Sequence, residues 1–150
     1  MKSIALSLFL FSTCLSANSQ TTEDSVKAAV NNLFIAMKNS DGLMLRSCFG
    51  DSAKLQALGK DKAGNLIVKN ESIQDFANSI STAPKGSLDE RISFDTIKID
   101  GPLASVWTPY SFYYNGQFSH CGVNSFQLIR TVNGWKIQYI IDTRRKTGCL

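Results

Sequence analysis

Histidine is almost missing from this sequence: His120 is the one imidazole in 150 residues. The four cysteines fall in no CxxC spacing, and with a single nitrogen ligand to add to them a zinc site is excluded. Nothing else in the chain calls for a metal or a cofactor. No apolar run approaches the roughly 20 residues needed to span a bilayer. A dense basic patch is lacking too. Lys+Arg number 16 against Asp+Glu 12, a formal +4 spread along the chain, which argues against nucleic-acid binding. With 43% hydrophobic and 19% charged residues, the composition is neither that of a disordered chain nor that of a polytopic membrane protein. Repeats, low-complexity tracts and linkers are absent, so the length points to one domain that buries a core without relying on disulfides.

What is present begins with a leader. Lys2 precedes Ile4-Ala5-Leu6-Ser7-Leu8-Phe9-Leu10-Phe11, and small and polar residues follow through Gln20. A basic start, a short apolar core and Ala17-Asn18-Ser19 read as a secretory signal peptide over residues 1–19, cleaved after Ser19. Cys14 raises a lipoprotein alternative, but Phe11-Ser12-Thr13 lack the Leu and the small residue that usually precede an acylated cysteine. The mature chain, 20–150, is expected to be exported to a periplasm or beyond the cell, with no stable membrane insertion. Cleavage leaves Cys48, Cys121 and Cys149, an odd number that suggests one bridge and one thiol in an oxidising compartment.

Thr21-Thr22-Glu23-Asp24 reads as a helix start, and Val26, Ala29, Val30, Leu33 and Met37 recur at helical spacing behind it. Asp41-Gly42 breaks that helix, and a short one from Leu43 runs out near Phe49. Lys54–Leu58 and Leu66–Lys69 read as a hairpin. Asn70 is positioned to cap a third helix carrying Ile73, Phe76, Ala77 and Ile80 on one face. From residue 90 the period becomes two. Arg91–Ile99, Leu103–Tyr114, Gln117–Val132 and Trp135–Arg145 read as four strands, joined at Asp100-Gly101, Asn115-Gly116 and Asn133-Gly134. Helices gathered before a long antiparallel meander make an α+β domain with the helices on one face of the sheet.

That order of elements, together with Gly116-Gln117-Phe118-Ser119-His120-Cys121-Gly122, Phe126-Gln127-Leu128-Ile129-Arg130 and Asn133-Gly134-Trp135-Lys136-Ile137, resembles the closing strands of small exported bacterial proteins of the NTF2-like superfamily. Many of these carry SnoaL-like or lumazine-binding-like labels. The resemblance covers essentially all of the mature chain. It implies an NTF2-like (cystatin-like) cone, in which a strongly curved sheet folds around the first helix and leaves an apolar pocket. It also implies homodimers formed through the outer face of the sheet. Activity is not implied, because the fold hosts isomerases, dehydratases, cyclases and binding modules alike. Ketosteroid isomerases on this fold use an Asp base and an oxyanion hole made by a Tyr and a protonated Asp. Aligned on Ala53, the base position falls on Ala57, and the first helix holds no tyrosine.

Strand parity then selects a candidate pocket face. A two-residue loop at Asn133-Gly134 pairs Val132 with Trp135, Phe126 with Ile141 and Leu128 with Tyr139. The turn at Asn115-Gly116 pairs Ser111 with His120 and Trp107 with Asn124. Trp107, His120, Asn124, Phe126 and Tyr139 are then expected to line the ligand pocket, with Asp142 on the opposite face. Tyr110, Phe112 and Tyr114 are expected to form an outer, subunit-facing surface, although a single bulge would reverse part of this assignment.

His120 is the candidate general acid or base, because its pKa lies near neutrality; a structural histidine at a sheet end is the alternative. Cys121 and Cys149 are the expected disulfide, with Cys48 as competitor. Arg144-Arg145-Lys146 suits either an anion or a solvated strand end. Three functions follow: an exported binder of a small apolar or aromatic molecule, a small dehydratase, isomerase or hydrolase using His120, and a dimeric interaction scaffold.

Overall fold

The computed structural model describes residues 21–149, so the expected leader, its cleavage point and Cys14 lie outside the described residues. Thr21 caps α1 (Thr22–Asn39): its hydroxyl accepts from the Asp24 amide, and Glu23 and Asp24 sit where the helix dipole favours negative charge. Val26, Val30, Leu33 and Met37 are buried on the expected stripe, joined by Phe34 and Ala36. Ser40 ends the helix in the left-handed region, and the carboxylate of Asp41 accepts from the Met44 amide to start α2 (Gly42–Ser47).

Two strands follow, β1 (Phe49–Lys60) and β2 (Leu66–Glu71), and then α3 (Ile73–Thr82). The cap of α3 is Ser72, whose hydroxyl accepts from the Asp75 amide. Asn70 lies in β2 instead, where its side-chain oxygen accepts from Gln56, which corrects the expectation that it caps the helix. The expected strand over 91–99 is two: β3 (Leu88–Ile92) and β4 (Thr96–Asp100), both antiparallel to β5 (Leu103–Tyr114). The break at Ser93-Phe94-Asp95 lets consecutive short strands share one long neighbour. β6 (Gln117–Thr131) and β7 (Gly134–Asp142) complete the sheet.

The sheet runs β2-β1-β7-β6-β5-β3, with β4 also on β5. The meander of the last three strands is as expected, but the sheet is mixed, because β1 pairs with β7 in parallel. The three helices cover its concave face. Phe34 of α1 meets Phe126 of β6 edge-on, with ring centroids 6.2 Å apart, and Val30, Leu128, Ile137 and Val106 close the core around them.

Two irregularities decide which side chains face those helices. Between β5 and β6, Phe112 pairs with His120 but Tyr113 pairs with Phe118, so Ser119 is an extra residue. Between β6 and β7, Gln127 pairs with Tyr139 but Leu128 pairs with Ile137, so Gln138 is another. The second hairpin loop is Val132-Asn133 rather than Asn133-Gly134. Each bulge shifts the register by one and exchanges the two faces beyond it.

At Gly122 the chain makes a close approach that only glycine permits. A Cβ there would overlap the Thr143 carbonyl and lie 2.7 Å from the Tyr110 ring. The segment after β7 crosses at this point, pairs Arg145 with Cys121, and is joined to β6 by a disulfide between Cys121 and Cys149. Cys48 is a buried free thiol whose Sγ–H donates to the Met44 carbonyl; burial pushes its pKa up to about 11. It is therefore not a reactive thiolate.

Candidate functional site

A cavity of about 240 Å³, open to solvent, lies between the helices and the concave face. Its apolar wall comes from Leu33, Phe34 and Met37 of α1, Phe76 and Ile80 of α3, and Leu55, Leu88, Phe126 and Ile140 of the sheet. Its polar wall draws on two rungs of neighbouring strands, from which Glu90, His120, Asn124 and Asp142 reach the cavity and Thr108 does not. Glu90 of β3, Phe112 of β5 and His120 of β6 stand side by side. Thr108, Asn124 and Asp142 stand side by side further along β5, β6 and β7.

The two rungs are tied together by a hydrogen bond from Asn124 Nδ2 to Glu90 Oε1 at 2.8 Å. Burial is the main influence on the Glu90 carboxyl and pushes its pKa up to about 7. The Asn124 bond opposes the shift, the Asp142 charge adds to it, and Arg144 lowers it slightly. Asp142, 6% exposed, accepts two hydrogen bonds from the guanidinium of Arg144, at 2.9 and 3.2 Å. Tyr110 stands between the rungs and donates its hydroxyl to the Thr143 carbonyl at 2.9 Å; burial raises its pKa further above the ordinary phenol value. His120 is packed edge-on by Tyr110 and stacked at a tilt on Phe112, with Nδ1 3.1 Å from the Ser119 hydroxyl. Burial first, and Arg144 second, lower its pKa, so its ring is neutral near pH 7. At the cavity mouth burial also raises the pKa of Glu71 above the ordinary glutamate value.

Of the residues expected on this face, His120, Asn124 and Phe126 line the cavity. Trp107 and Tyr139 do not. The bulge at Ser119 pairs Trp107 with Ser125 and turns it outward, 46% exposed. The bulge at Gln138 sends Tyr139 to the outer face, where its hydroxyl donates to Gln56 Oε1 at 2.6 Å. The same shifts bring Tyr110, Phe112 and Asp142 inside, correcting their placement on the opposite face. Tyr114 is 50% exposed at the strand end. Arg144 borders the cavity while its side chain stays 51% exposed. Ala57 pairs with Asp142 and Lys69 across β1 and brings no carboxylate.

Glu90 is the residue that sequence reasoning missed. The signal was available: in Leu88-Asp89-Glu90-Arg91-Ile92, period-two alternation places an acid between two apolar residues of the inward face. Among the described residues no group of three or more His, Cys, Asp or Glu side chains is arranged to hold a metal ion.

No family model and no curated protein matches the chain. The likeness is to solved structures. An NTF2-like protein of unknown function from Shewanella baltica OS155 matches 83% of this chain and 94% of its own, at 17% identity and TM-score 0.65. An NTF2-like protein with a cystatin-like fold from Novosphingobium aromaticivorans matches 85% of this chain and 84% of its own, at 11% identity and TM-score 0.66. A candidate dehydratase of the NTF2-like family from Streptomyces avermitilis matches 81% and 94%, at 15% identity and TM-score 0.60. The chain has the NTF2-like, cystatin-like fold, an α+β cone. At these identities the likeness is one of fold.

Proposed function

We propose that this chain is an exported protein that binds a small molecule in the cavity between its helices and its sheet. The observation that supports this best is the division of the cavity wall. Aromatic and aliphatic side chains cover one side, and Glu90, Asn124, Asp142, Arg144 and His120 gather on the other. Such pockets hold a ligand by apolar burial and orient it with a few polar groups. Pockets for drug-sized ligands measure roughly 300–1,000 Å³, so about 240 Å³ suits a body of one ring with a short substituent. The leader over residues 1–19 and the Cys121–Cys149 disulfide support export, since structural disulfides persist in oxidising compartments. A homodimer through the outer sheet face belongs to the same reading.

An acid–base reading has one specific support: a carboxyl whose pKa is about 7 stands in the cavity on the rung that carries His120. The candidate dehydratase among the structural neighbours is consistent with it. In this reading Glu90 transfers the proton and the neutral His120 ring holds the substrate.

Native mass spectrometry of protein exported by its own leader, purified without refolding, tests the binding reading. Ser79 lies on the exposed side of α3 at the cavity mouth, so Ser79→Trp blocks entry without entering the core. The expected result is a small retained mass on the wild type that Ser79→Trp lacks. A ligand-free wild type that no small aromatic compound stabilises against melting would remove the reading.

A further inference from the structure

The cavity holds more carboxyl than cation. Glu71, Glu90 and Asp142 line it, and Arg144 is its one guanidinium. Arg144 is bound bidentately to Asp142, so those two charges cancel. Among the described residues, Glu71 and Glu90 form no ion pair. Around them stand Phe34, Phe76, Tyr110, Phe112 and Phe126. The geometry points to a small organic cation, a protonated amine on an aromatic or apolar body, as the ligand class of this cavity, with its ammonium group on the Glu90 carboxylate. This rests on the cavity being a binding site.

The charge balance rejects the alternatives. An anionic ligand needs a cation whose charge is unmatched, yet the Arg144 charge is matched by Asp142 and the His120 pKa is lowered, so an anion meets Glu71 and Glu90 uncompensated. A neutral ligand leaves Glu90 as it is, held protonated by its surroundings over part of the neutral range. An ammonium group supplies the missing charge, and it is the one ligand charge that both a carboxylate and aromatic faces attract. Binding then favours the ionised form of Glu90 and releases a proton near neutrality. The titratable or charged groups lining the cavity with Glu90 are Glu71 from β2, Tyr110 from β5, His120 from β6, and Asp142 and Arg144 at the end of β7. Helices α1 and α3 contribute no charged side chain to the lining.

Benzylamine, benzyl alcohol and benzoate carry the same ring with a positive, neutral and negative end. Isothermal titration of the folded, disulfide-bonded wild type at pH 7 is expected to give benzylamine an affinity about tenfold above benzyl alcohol and to show no binding of benzoate. In buffers of different ionisation enthalpy, benzylamine binding is expected to release protons, and its affinity to rise from about pH 5.5 to about pH 8. Glu90→Gln, which keeps an acceptor for Asn124, is expected to lose that tenfold preference for benzylamine over benzyl alcohol.

Benzyl alcohol or benzoate binding as well as benzylamine would overturn the amine inference and leave the pocket standing. Failure of all three to bind would overturn both. Should Glu90→Gln not fold, the wild-type proton count decides: benzylamine bound with no proton released overturns the assignment to Glu90.

Discussion

Glu90 concentrates the chemistry of this molecule in one side chain, and its protonation is coupled to folding as well as to the cavity. In the unfolded chain it titrates near the ordinary glutamate value, and in the folded protein burial moves that titration to about 7. The folded state therefore binds the extra proton more tightly, and the stability this confers is complete below the unfolded pKa and lost as pH rises through about 7. Removing the titration by Glu90→Gln keeps the hydrogen bond from Asn124. The variant is expected to gain on the order of 3 kcal/mol over the wild type at about pH 8 and nothing at about pH 4. Urea unfolding of both proteins at the two pH values checks this; parallel curves would show that Glu90 titrates normally. His120, the residue that sequence alone nominated, has the opposite bias: burial and Arg144 keep it neutral, which suits accepting or donating a hydrogen bond more than carrying charge.

At the scale of elements, local chemistry was legible in part, the α3 cap at Ser72 and the Val132-Asn133 loop being misplaced by two residues and by one, and register was not. Thr21, Asp41, and the Asn115-Gly116 turn with both residues at positive φ follow from capping and turn preferences that a few adjacent residues encode. The expected pocket face depended on counting by two across long strands. One extra residue at Ser119 and one at Gln138 exchanged Trp107 and Tyr139 for Tyr110, Phe112 and Asp142. Neither bulge is marked by glycine or proline, so packing against the helices, which is absent from local sequence, selects them.

The tail depends on a long-range link of another kind. Residues 143–149 reach the sheet through the Cys121–Arg145 pairing and the disulfide, and they include Arg144, the partner of Asp142. Closing a separation of 28 residues is worth about 3–4 kcal/mol in the chain-entropy account. Cys149→Ser is expected to lower unfolding free energy by that order and to increase amide exchange in residues 143–149. Unchanged stability and exchange would mean that the Tyr110–Thr143 and Cys121–Arg145 bonds hold the tail alone.

At the scale of the whole molecule, the helices cover one face of a seven-stranded sheet, and among the described residues no element covers the other. That outer face is neither wholly apolar nor freely solvated. Gln127 donates to Ser105, Tyr139 to Gln56 and Gln56 to Asn70, polar groups held in place by one another across the strands. Beside them Leu103 and Trp107 are about half exposed, large apolar side chains on a rigid strand. A pre-organised polar pattern beside an exposed tryptophan is the composition of an interface rim and anchor. The proposed homodimer places this face against its copy, which also leaves the cavity, on the opposite face, open to ligand in both subunits. Trp107 is expected to be the anchor, so Trp107→Glu should convert the dimer to a monomer with an affinity loss of at least about 2 kcal/mol, while the melting temperature of the isolated subunit stays within a few degrees. Light scattering after size exclusion, over a dilution series, reads this directly. A wild type that is monomeric at about 100 μM, a concentration that would populate even a weak dimer, removes the interface from the proposal and leaves the cavity as the one functional surface argued for.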